Sequence, residues 1–486
     1  PYAELMLIAI LHIKPLFQKM GWGWDVIFLC SQSKIIGLRE YNSRIFCLNL
    51  LREDRMRLGK DKSKNFSFSF VIALAFHYLC IPKSDKTKNM LNLDDLYKAR
   101  YVLSKILRRT DLVHAPKLNP ESDIYLKPEN LQITGSFKVR GAYYKISQLS
   151  DEEKAKGVIA CSAGNHAQGV ALGATSNGIK SIICLPEGAP ISKVEATRRL
   201  GAEICLVPGV YDDAYNRALQ LRDEHGYSFV HPFNDDNVIA GQGTIGLELL
   251  DQLSDIEAVV VPIGGGGLIS GVAYAIKSLK PDVKVYGVQA AGAPSMYQSI
   301  RDHHPETLAS VSTVADGIAV KTPGDLTYEI CSKYVDEIAL VTEDEICAAI
   351  LRLMEEEKMI AEGAGAVSVA AAMFNKVPIK GKKTVCLVSG GNIDVNILNR
   401  VINRGLDKDG RICTLAMELD DKPGQLLEVI QVLAKLGANV LSVHHERGIA
   451  SHSVNSCELR VRLETRNHEH VEAIKEGLQK KGFKLK

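Results

Sequence analysis

Length, composition and charge exclude several classes of protein. The chain has 486 residues, of which 46% are apolar, and 59 basic against 57 acidic residues give a net charge of +2. These values are typical of a multidomain globular protein, and they provide no charged surface for nucleic acid or an anionic membrane. The 11 cysteines form no CxxC pair and no zinc-ligand pattern, so neither a disulfide framework nor a structural metal is expected. The sequence predicts a cytoplasmic protein whose partner is a small molecule.

The first 89 residues differ in composition from the rest of the chain. They contain both tryptophans and seven of the 12 phenylalanines. Their apolar stretch 66–81 is shorter than the roughly 18 to 20 residues that span a bilayer, and the apolar start lacks the basic segment of a secretory signal. Because Met90 is well placed as a start, we interpret residues 1–89 as an unassigned extension outside the working protein. An unfamiliar added domain is the alternative.

From Leu91 onward, short apolar strands alternate with longer helical segments. Asn92 is a suitable N-cap for a first helix through Leu103. Strands are predicted at 158–161, 181–185, 203–207, 258–263, 283–289 and 384–388. This alternation indicates an α/β protein with mostly parallel sheets, in which ligands bind at the carboxyl ends of the strands.

A smaller unit begins near Arg411. The pattern predicts a strand at 413–419, a turn at 421–424, a helix at 425–436, strands at 439–445 and 457–463, and a helix at 471–479. The order βαββα describes a separate α+β module. The lysines at 480, 481, 484 and 486 are expected to form a solvated basic end.

The first motif with chemical potential runs from Thr134 to Ala142 and reads TGSFKVRGA. Its Lys138 lies between two apolar residues where a helix can begin, an unusual place for a solvated ammonium. Burial lowers the pKa of a lysine and makes its amine competent to react with an aldehyde. A surface lysine at a helix start is the alternative if the motif is taken alone.

The second motif, Ser162 to Gly169, reads SAGNHAQG and directly follows a predicted strand. Small residues let a ligand approach the backbone, and the free N–H groups of a helix start suit a carboxylate or phosphate. Asn165 can donate its amide to a phenolic oxygen. The alternatives are a tight turn in which Gly164 needs a positive φ and, for His166, a packing or capping role. Cys161, just before the motif, is expected to be an apolar filler rather than a nucleophile, because no partner base is evident.

The third motif is Gly264-Gly265-Gly266-Gly267-Leu268, between an apolar strand and an apolar helix. Four consecutive glycines are entropically costly, and a cradle of backbone N–H groups for a phosphate accounts for that cost. The motif lacks the ending of a nucleotide P-loop and the spacing of a dinucleotide fingerprint. A flexible turn is the alternative.

The fourth motif, Ser389-Gly390-Gly391-Asn392, again follows an apolar strand. A hydroxyl at the end of a strand can form a hydrogen bond with a ring nitrogen without supplying a charge. A simple turn between strand and helix is the alternative.

Together, the four motifs resemble the threonine dehydratase and serine racemase group of pyridoxal phosphate enzymes, the fold-type II (tryptophan synthase β-like) class. The resemblance extends from about Leu91 to Leu406. The resemblance implies two open parallel-sheet subdomains and pyridoxal 5′-phosphate held by Lys138 as a Schiff base. It further implies the remaining contacts: Phe137 packs by the ring, Asn165 bonds the 3′-oxygen, residues 264–268 hold the phosphate, Ser389 meets the pyridine nitrogen, and Ser162, Ala163, Gly164, Asn165 and His166 receive the substrate carboxylate.

Gln289 departs from the pattern of relatives that resemble serine racemase. Those relatives bind a divalent ion through an acidic residue after the corresponding strand, and an amide in its place weakens a site for a hard cation. No magnesium or calcium requirement is therefore expected there. Glu362 resembles the family's acidic residue near the cofactor ring, with a charge at a helix N-terminus as the alternative.

The C-terminal unit resembles an ACT domain, a βαββαβ module that binds amino acids at pairwise interfaces. The resemblance rests on residues 421–426 and 437–440, and its single copy is similar to the medium-length form of threonine ammonia-lyase. It implies an amino-acid or nucleotide effector bound by Gly424, Gln425, Leu426 and Asn439. A purely dimerising module is the alternative.

These expectations give a catalytic domain at 90–408, with a smaller mobile subdomain at about 157–235, and an ACT-like regulatory domain at 409–486. The expected activity is deamination of L-threonine, and also of L-serine, by β-elimination of the hydroxyl. L-Threonine would yield 2-oxobutanoate and ammonia for isoleucine biosynthesis or threonine catabolism, with Lys138 as general base in a homo-oligomer, a dimer or a tetramer. The alternatives are a serine dehydratase or racemase and a catalytically silent amino-acid sensor.

Overall fold

The computed structural model describes residues 91–447 and 455–486, which belong to one compact unit. The predictions about residues 1–89 lie outside the described residues. The described strands are, in chain order, β1 (Val113–His114), β2 (Asp123–Pro128), β3 (Val158–Cys161), β4 (Ser181–Pro186), β5 (Glu203–Val207), β6 (Ser228–Phe229), β7 (Ala258–Pro262), β8 (Lys284–Ala290), β9 (Glu337–Val341), β10 (Lys383–Val388), β11 (Ile412–Asp420), β12 (Asn439–Arg447), β13 (Ser456–Glu464) and β14 (Lys484–Leu485).

The described α-helices lie between these strands. They are α1 (Leu93–Leu103), α2 (Lys138–Ser147), α3 (Asp151–Lys156), α4 (Asn165–Ser176), α5 (Ile191–Arg199), α6 (Tyr211–His225), α7 (Asp236–Gln252), α8 (Gly267–Leu279), α9 (Ser295–Asp302), α10 (Asp325–Tyr334), α11 (Glu343–Glu356), α12 (Gly363–Met373), α13 (Val395–Lys408), α14 (Gln425–Leu436) and α15 (His468–Lys480). Asn92 caps α1 as predicted, because its side chain accepts the amide of Asp95 at 3.0 Å.

The larger sheet has six strands in the order β1-β2-β10-β7-β8-β9. All neighbours are parallel except the short β1, which runs antiparallel to β2. Alternate residues of β7 enter different cores: Val259 and Val261 pack on one face, Ala258 and Val260 on the other. A strand covered on both faces is apolar throughout, which is why this segment was recognisable in the sequence.

A second sheet has four parallel strands in the order β5-β4-β3-β6. The helices α4 and α6 contact its central strands. The two parallel sheets confirm the predicted α/β class with two open-sheet subdomains. The short strand β6 was not predicted, since two residues carry no period.

The C-terminal sheet is antiparallel, in the order β12-β13-β11-β14, and α14 and α15 pack on each other beside it. The predicted βαββα order is extended to βαββαβ by β14. The basic end is exposed as expected at all four lysines, although Lys484 pairs through its backbone with Glu418 on β11 and the ammonium of Lys486 donates to Glu458 at 2.6 Å. Within the described residues, no helix is long and apolar enough to cross a bilayer.

Candidate active site

Three of the four motifs lie at the carboxyl ends of parallel strands. Ser162 follows β3, Gly264 lies just beyond β7, and Ser389 follows β10. The strands β7 and β10 are direct neighbours, with Thr384 opposite Ala258. Parallel neighbours bring their carboxyl ends to one edge of a sheet, where such folds bind ligands.

Main-chain hydrogen bonds join the first motif to the fourth. The amide of Phe137 donates to the carbonyl of Ser389 at 3.1 Å, and the amide of Gly391 donates to the carbonyl of Gly135 at 2.9 Å. Ser136 and Gly390 form the antiparallel bridge between them. Residues more than 250 positions apart in sequence are thus held in fixed register just before Lys138.

Lys138 is the first residue of α2, as the sequence predicted, and its side chain is partly buried. Its ammonium donates to the carbonyl of Pro232 at 2.9 Å and lies 5.3 Å from the centre of the Phe137 ring. Burial lowers the pKa of Lys138 to about 8, although the carboxylate of Glu362 opposes the shift. The amine is therefore available near neutral pH far more often than a surface lysine, whose pKa is about 10.4.

Glycines on two helices let the backbone of α2 be packed closely from both sides. A Cβ at Gly169 of α4 would lie 3.1 Å from the carbonyl group of Lys138, and one at Gly241 of α7 would lie 2.6 Å from the Cα of Gly141. Any larger side chain would push α2 away. The second motif thus ends in glycine because Gly169 packs against the backbone of Lys138, the residue that begins α2.

A chain of hydrogen bonds links Asn165 to the other motifs. Its amide nitrogen donates to Oε1 of Glu362 at 2.6 Å, and its amide oxygen accepts from Nδ2 of Asn392 at 2.7 Å. The same Nδ2 donates to the carbonyl of Thr134 at 2.8 Å. The second motif is therefore tied to the first and the fourth, and Asn165 is oriented at both ends of its amide.

Glu362 lies inside the site and does not cap α12. It is 4% exposed, and its side chain bonds to Asn165 rather than to the first amides of the helix. Burial raises the pKa of Glu362 to about 7, the charge of Asp316 adds to the rise, and the Asn165 amide opposes it. A carboxyl group that titrates near neutral pH beside an amine with a depressed pKa is typical of catalytic sites.

The turn between β3 and α4 faces open space. Gly164 has φ −139°, so the alternative that this turn needs a positive φ is wrong. A Cβ built on Gly164 would meet nothing within 4 Å, and the amides of Asn165 and His166 have no protein acceptor among the described residues. Free amides at a helix start beside unfilled space suit an anion, as expected for a substrate carboxylate.

The imidazole of His166 contacts the fold rather than the space in front of Gly164. It is buried, and its Nε2 lies 2.8 Å from the carbonyl of Val230. Burial, with the nearby charge of Lys138, lowers the pKa of His166 to about 3. The ring is therefore neutral, and Nε2 carries the proton that it donates to Val230. The backbone amide of His166, not its ring, is the group available to a ligand.

The glycine loop has a geometry suited to a phosphate. Gly266 has φ +96°, and the amides of residues 264–268 have no protein acceptor among the described residues. The helix α8, which begins at Gly267, adds the positive end of its dipole. Packing also requires small residues here, since a Cβ at Gly267 would lie 2.8 Å from the Cα of Phe233, and one at Gly265 would overlap the ring of Phe233.

Ser389 is buried at the end of β10. Its hydroxyl donates to the carbonyl of Ala364 at 3.2 Å. A neutral pyridine nitrogen would compete with that carbonyl for the hydroxyl proton, so its contact with a ring remains a prediction. With the free amides of the glycine loop, the open turn at Gly164 and the low pKa of Lys138, the site fits pyridoxal phosphate.

Sequence reasoning missed two parts of this site. Pro232, whose carbonyl accepts from Lys138, lies in a loop after the two-residue β6 and has no motif to mark it. Asn392 was predicted only as the end of a turn, whereas it orients Asn165.

The side chain of Gln289 is held by the backbone at both of its polar atoms. Its amide nitrogen donates to the carbonyl of Ile263 at 3.4 Å, and its amide oxygen accepts from the backbone amide of Tyr297 at 2.8 Å.

Cys161 behaves as the filler that the sequence predicts. It is 1% exposed in β3, and burial raises the pKa of its thiol to about 12. A thiol with that pKa is protonated at neutral pH and is a poor nucleophile.

The residues expected to bind an effector are only partly brought together. Gly424, Gln425 and Leu426 line a cavity of about 390 Å³ with His445 and Arg447. Asn439 lies outside that lining, and its side chain donates to Glu464 at 3.1 Å.

Comparison with known proteins identifies the family of the chain. The family model described as pyridoxal-phosphate dependent enzyme matches residues 103–391. An L-threonine ammonia-lyase of Thermotoga maritima is 51% identical over 399 residues, which are 82% of this chain and 99% of that protein. The processed form of threonine deaminase isoform 2 from Solanum lycopersicum is 38% identical with a TM-score of 0.61, covering 67% of this chain and 93% of its own. Maize serine racemase is 34% identical with a TM-score of 0.62, covering 65% and 98%.

The family match spans more than half of the chain and contains Lys138, Asn165, the glycine loop and Ser389. The fold, the geometry of these residues and the extent of the match lead to one conclusion: the chain belongs to the pyridoxal-phosphate dependent enzymes, and pyridoxal phosphate is its cofactor.

Proposed function

We propose that this enzyme is an L-threonine ammonia-lyase, which converts L-threonine into 2-oxobutanoate and ammonia by β-elimination of the hydroxyl, and that it also accepts L-serine. The observation that carries the proposal is the position of Lys138, whose amine has a pKa of about 8 where the main chains of two motifs are joined. The names of relatives that are 44–51% identical, threonine ammonia-lyase or dehydratase, support the choice of substrate.

Each group of the site has a role in this reaction. Pyridoxal phosphate, when bound, supplies an electron sink for the negative charge that develops on the α-carbon of the substrate. The amides of residues 264–268 would hold its phosphate, Asn165 its 3′-oxygen and Ser389 its ring nitrogen, and Phe137 would pack by the ring. In the turn Ser162 to His166, the amides of Asn165 and His166 are free to orient the substrate carboxylate, whereas those of Ser162 and Gly164 donate to the carbonyl of Cys184 and the hydroxyl of Ser162.

Lys138 moves the proton in this scheme. Its Nζ, uncharged in a useful fraction of molecules near pH 8, accepts the α-proton of the substrate as general base. Glu362 favours the charged ammonium that results, because its carboxylate raises the pKa of Lys138. The carbonyl of Pro232, 2.9 Å from Nζ, holds the amine in place before and after the transfer.

A serine dehydratase or serine racemase is the second candidate, since maize serine racemase is among the structural neighbours. Dehydration and racemisation use the same cofactor and differ in the fate of the α-carbon. Measuring oxo-acid release against D-serine formation from L-serine separates a dehydratase from a racemase. A catalytically silent amino-acid sensor, the candidate from another class, would release no oxo acid from either substrate.

The experiment that tests the proposal uses the full chain purified with pyridoxal phosphate. We expect visible absorbance of the bound cofactor, and oxo-acid release that is faster from L-threonine than from L-serine. Lys138→Ala should lose both the absorbance and the turnover, while Lys145→Ala, in the last turn of α2, serves as a matched control that keeps them. If Lys138→Ala kept the colour and the turnover, the proposal would be lost.

The domain assignment is also proposed. The catalytic domain would span 90–408, with residues 157–235 as a smaller, mobile subdomain, and 409–486 would form an ACT-like regulatory domain. The cavity beside Gly424 supports effector binding in that domain. Titration of the rate with isoleucine, valine and nucleotides tests this, and no response to any of them would leave the domain purely structural. Cytoplasmic location and assembly as a dimer or tetramer remain predictions.

A further inference from the structure

Three potential metal ligands meet in the C-terminal unit, far from Lys138 in the sequence. Asp421 follows β11, His445 lies on β12 and Cys457 lies on β13. The Nε2 of His445 is 2.9 Å from the Sγ of Cys457, and these two atoms and a carboxylate oxygen of Asp421 all lie within 4.8 Å of one another. No other group of this kind exists in the part of the chain that the structure describes.

Strand register explains how the three side chains meet. Cys457 pairs with Arg447 on β12 and with Leu419 on β11. Paired residues and those two positions along a strand share a face of a sheet, so His445 lies diagonally across from Cys457 on its face. Asp421 lies two residues beyond Leu419, where the chain leaves β11. The spacing in sequence therefore gives no metal-binding pattern, although the fold assembles one.

We propose that Asp421, His445 and Cys457 bind a divalent transition metal ion of the zinc type, with water in a fourth position. Around a tetrahedral Zn²⁺, sulfur at about 2.3 Å and nitrogen at about 2.0 Å are roughly 3.5 Å apart. The distances between the three donor atoms, from 2.9 Å to at most 4.8 Å, bracket that separation. Small side-chain rotations therefore suffice to form the site. Thiolate, imidazole and carboxylate together select such an ion over magnesium or calcium.

The charges at the site permit binding. Cys457 must release its thiol proton to solvent, and its thiolate together with the Asp421 carboxylate then balances the two charges of the ion. The guanidinium of Arg447 lies 3.0 Å from Oδ1 of Asp421 and must give up this contact, which its 69% exposed side chain allows. Lys422 is paired with Asp420 at 3.1 Å and does not occupy the site.

Binding would act on the cavity proposed for an effector. Asp421, His445 and Arg447 line that cavity beside Gly424. An ion held by three elements would fix the loop after β11 to the edge of the sheet at β12, and it would release Arg447 into the cavity. Independently of the catalytic reaction, we therefore expect the ion to stabilise the C-terminal unit.

The experiment titrates Co²⁺ into the full chain, loaded with pyridoxal phosphate and freed of metal by a chelator. We expect the intense visible bands of tetrahedral cobalt with a thiolate ligand, saturating at a single ion per chain and removed by Zn²⁺. His445→Ala and Cys457→Ser should each weaken binding at least about tenfold, the lower end for the loss of even an outer-shell partner. The matched controls are His444→Ala and Cys413→Ser, whose residues lie on β12 and β11 outside the cluster.

Two results would overturn the proposal. One is the absence of cobalt bands in the wild-type chain, which would leave His445 and Cys457 as a hydrogen-bonded pair. The other is unchanged binding in His445→Ala. Because His445 is exposed, this variant tests the site even if Cys457→Ser disturbs the core. A second readout is the melting temperature, which Zn²⁺ should raise in the wild type and in His444→Ala but not in His445→Ala.

Discussion

Asn165 donates a hydrogen bond to Glu362 over 2.6 Å, across 197 positions of sequence. The bond joins the amide expected to orient the cofactor to the carboxyl group that raises the pKa of Lys138. We therefore expect orientation of the cofactor and protonation of the lysine to depend on the same hydrogen-bonded pair. The pH dependence of cofactor binding therefore reports on the protonation of Lys138 and on its interaction with Glu362.

The rate at which cofactor-free enzyme takes up pyridoxal phosphate should rise with pH, with a midpoint near pH 8, and level off at higher pH. The reason is that the free amine of Lys138 reacts, and burial lowers its pKa to about 8. Stopped-flow absorbance across a pH series measures this rate. A midpoint near the 10.4 of an exposed lysine would contradict the burial of Lys138.

Glu362→Gln should shift that midpoint to lower pH. The carboxylate of Glu362 raises the pKa of Lys138, so its removal leaves desolvation unopposed. The amide oxygen of the introduced glutamine can still accept from Asn165, which keeps the geometry. Glu357→Gln, a nearby substitution outside the site, is the control. An unchanged midpoint in Glu362→Gln would mean that the carboxyl group is already neutral at those pH values.

Breaking the buried ionic network of Arg140, in the same helix as Lys138, should destabilise the catalytic unit. Arg140 is fully buried and donates to Glu129 at 2.7 Å and to Glu248 at 2.6 Å. Arg140→Met leaves the buried carboxylate of Glu129 without its cationic partner, while Glu248 keeps Lys127 at 2.6 Å, so the free energy of unfolding should fall by about 3–5 kcal/mol. Urea denaturation measures the loss. Arg109→Met removes an exposed pair with Asp111 and should leave the midpoint unchanged; equal effects in both variants would refute the role of the network.

Gly266→Ala should weaken cofactor binding more than it weakens the fold. Its φ of +96° costs a residue with a Cβ about 1–3 kcal/mol, and that Cβ would lie 2.8 Å from Thr327. Relief of this strain would displace the amides that we propose hold the phosphate. Titration with pyridoxal phosphate measures the affinity. The control is Gly188→Ala, at a loop position where a Cβ meets nothing within 4 Å; affinity equal to the wild type in Gly266→Ala would disprove the cradle.

A chain that begins at Met90 should keep its cofactor and its turnover. The prediction follows from the interpretation of residues 1–89 as an extension outside the working enzyme. Turnover with L-threonine and solubility of the truncated chain measure the outcome. A collapse of either would assign a function to the extension.

Local patterns in the sequence determined the class of fold and the places where chemistry could occur. Buried strands such as β7 are apolar throughout, Lys138 begins a helix as predicted, and an apolar helix follows the glycine loop, although it starts at Gly267, inside the motif. These features depend on neighbours a few residues away, so periodicity and small-residue motifs record them. The strands β1, β2, β6, β9 and β14 were not predicted; β1, β6 and β14 have only two residues, which show no period and are held by pairing with other strands.

Only the tertiary structure decided which groups act together. The hydrogen bond from Lys138 to Pro232, the chain from Asn392 through Asn165 to Glu362, and the cluster at His445 each join residues from separate elements. The pKa values of Lys138 and Glu362 arise from burial, which depends on how the elements pack rather than on their order. The sequence by itself thus determined where a lysine could react, and packing decided what surrounds its amine.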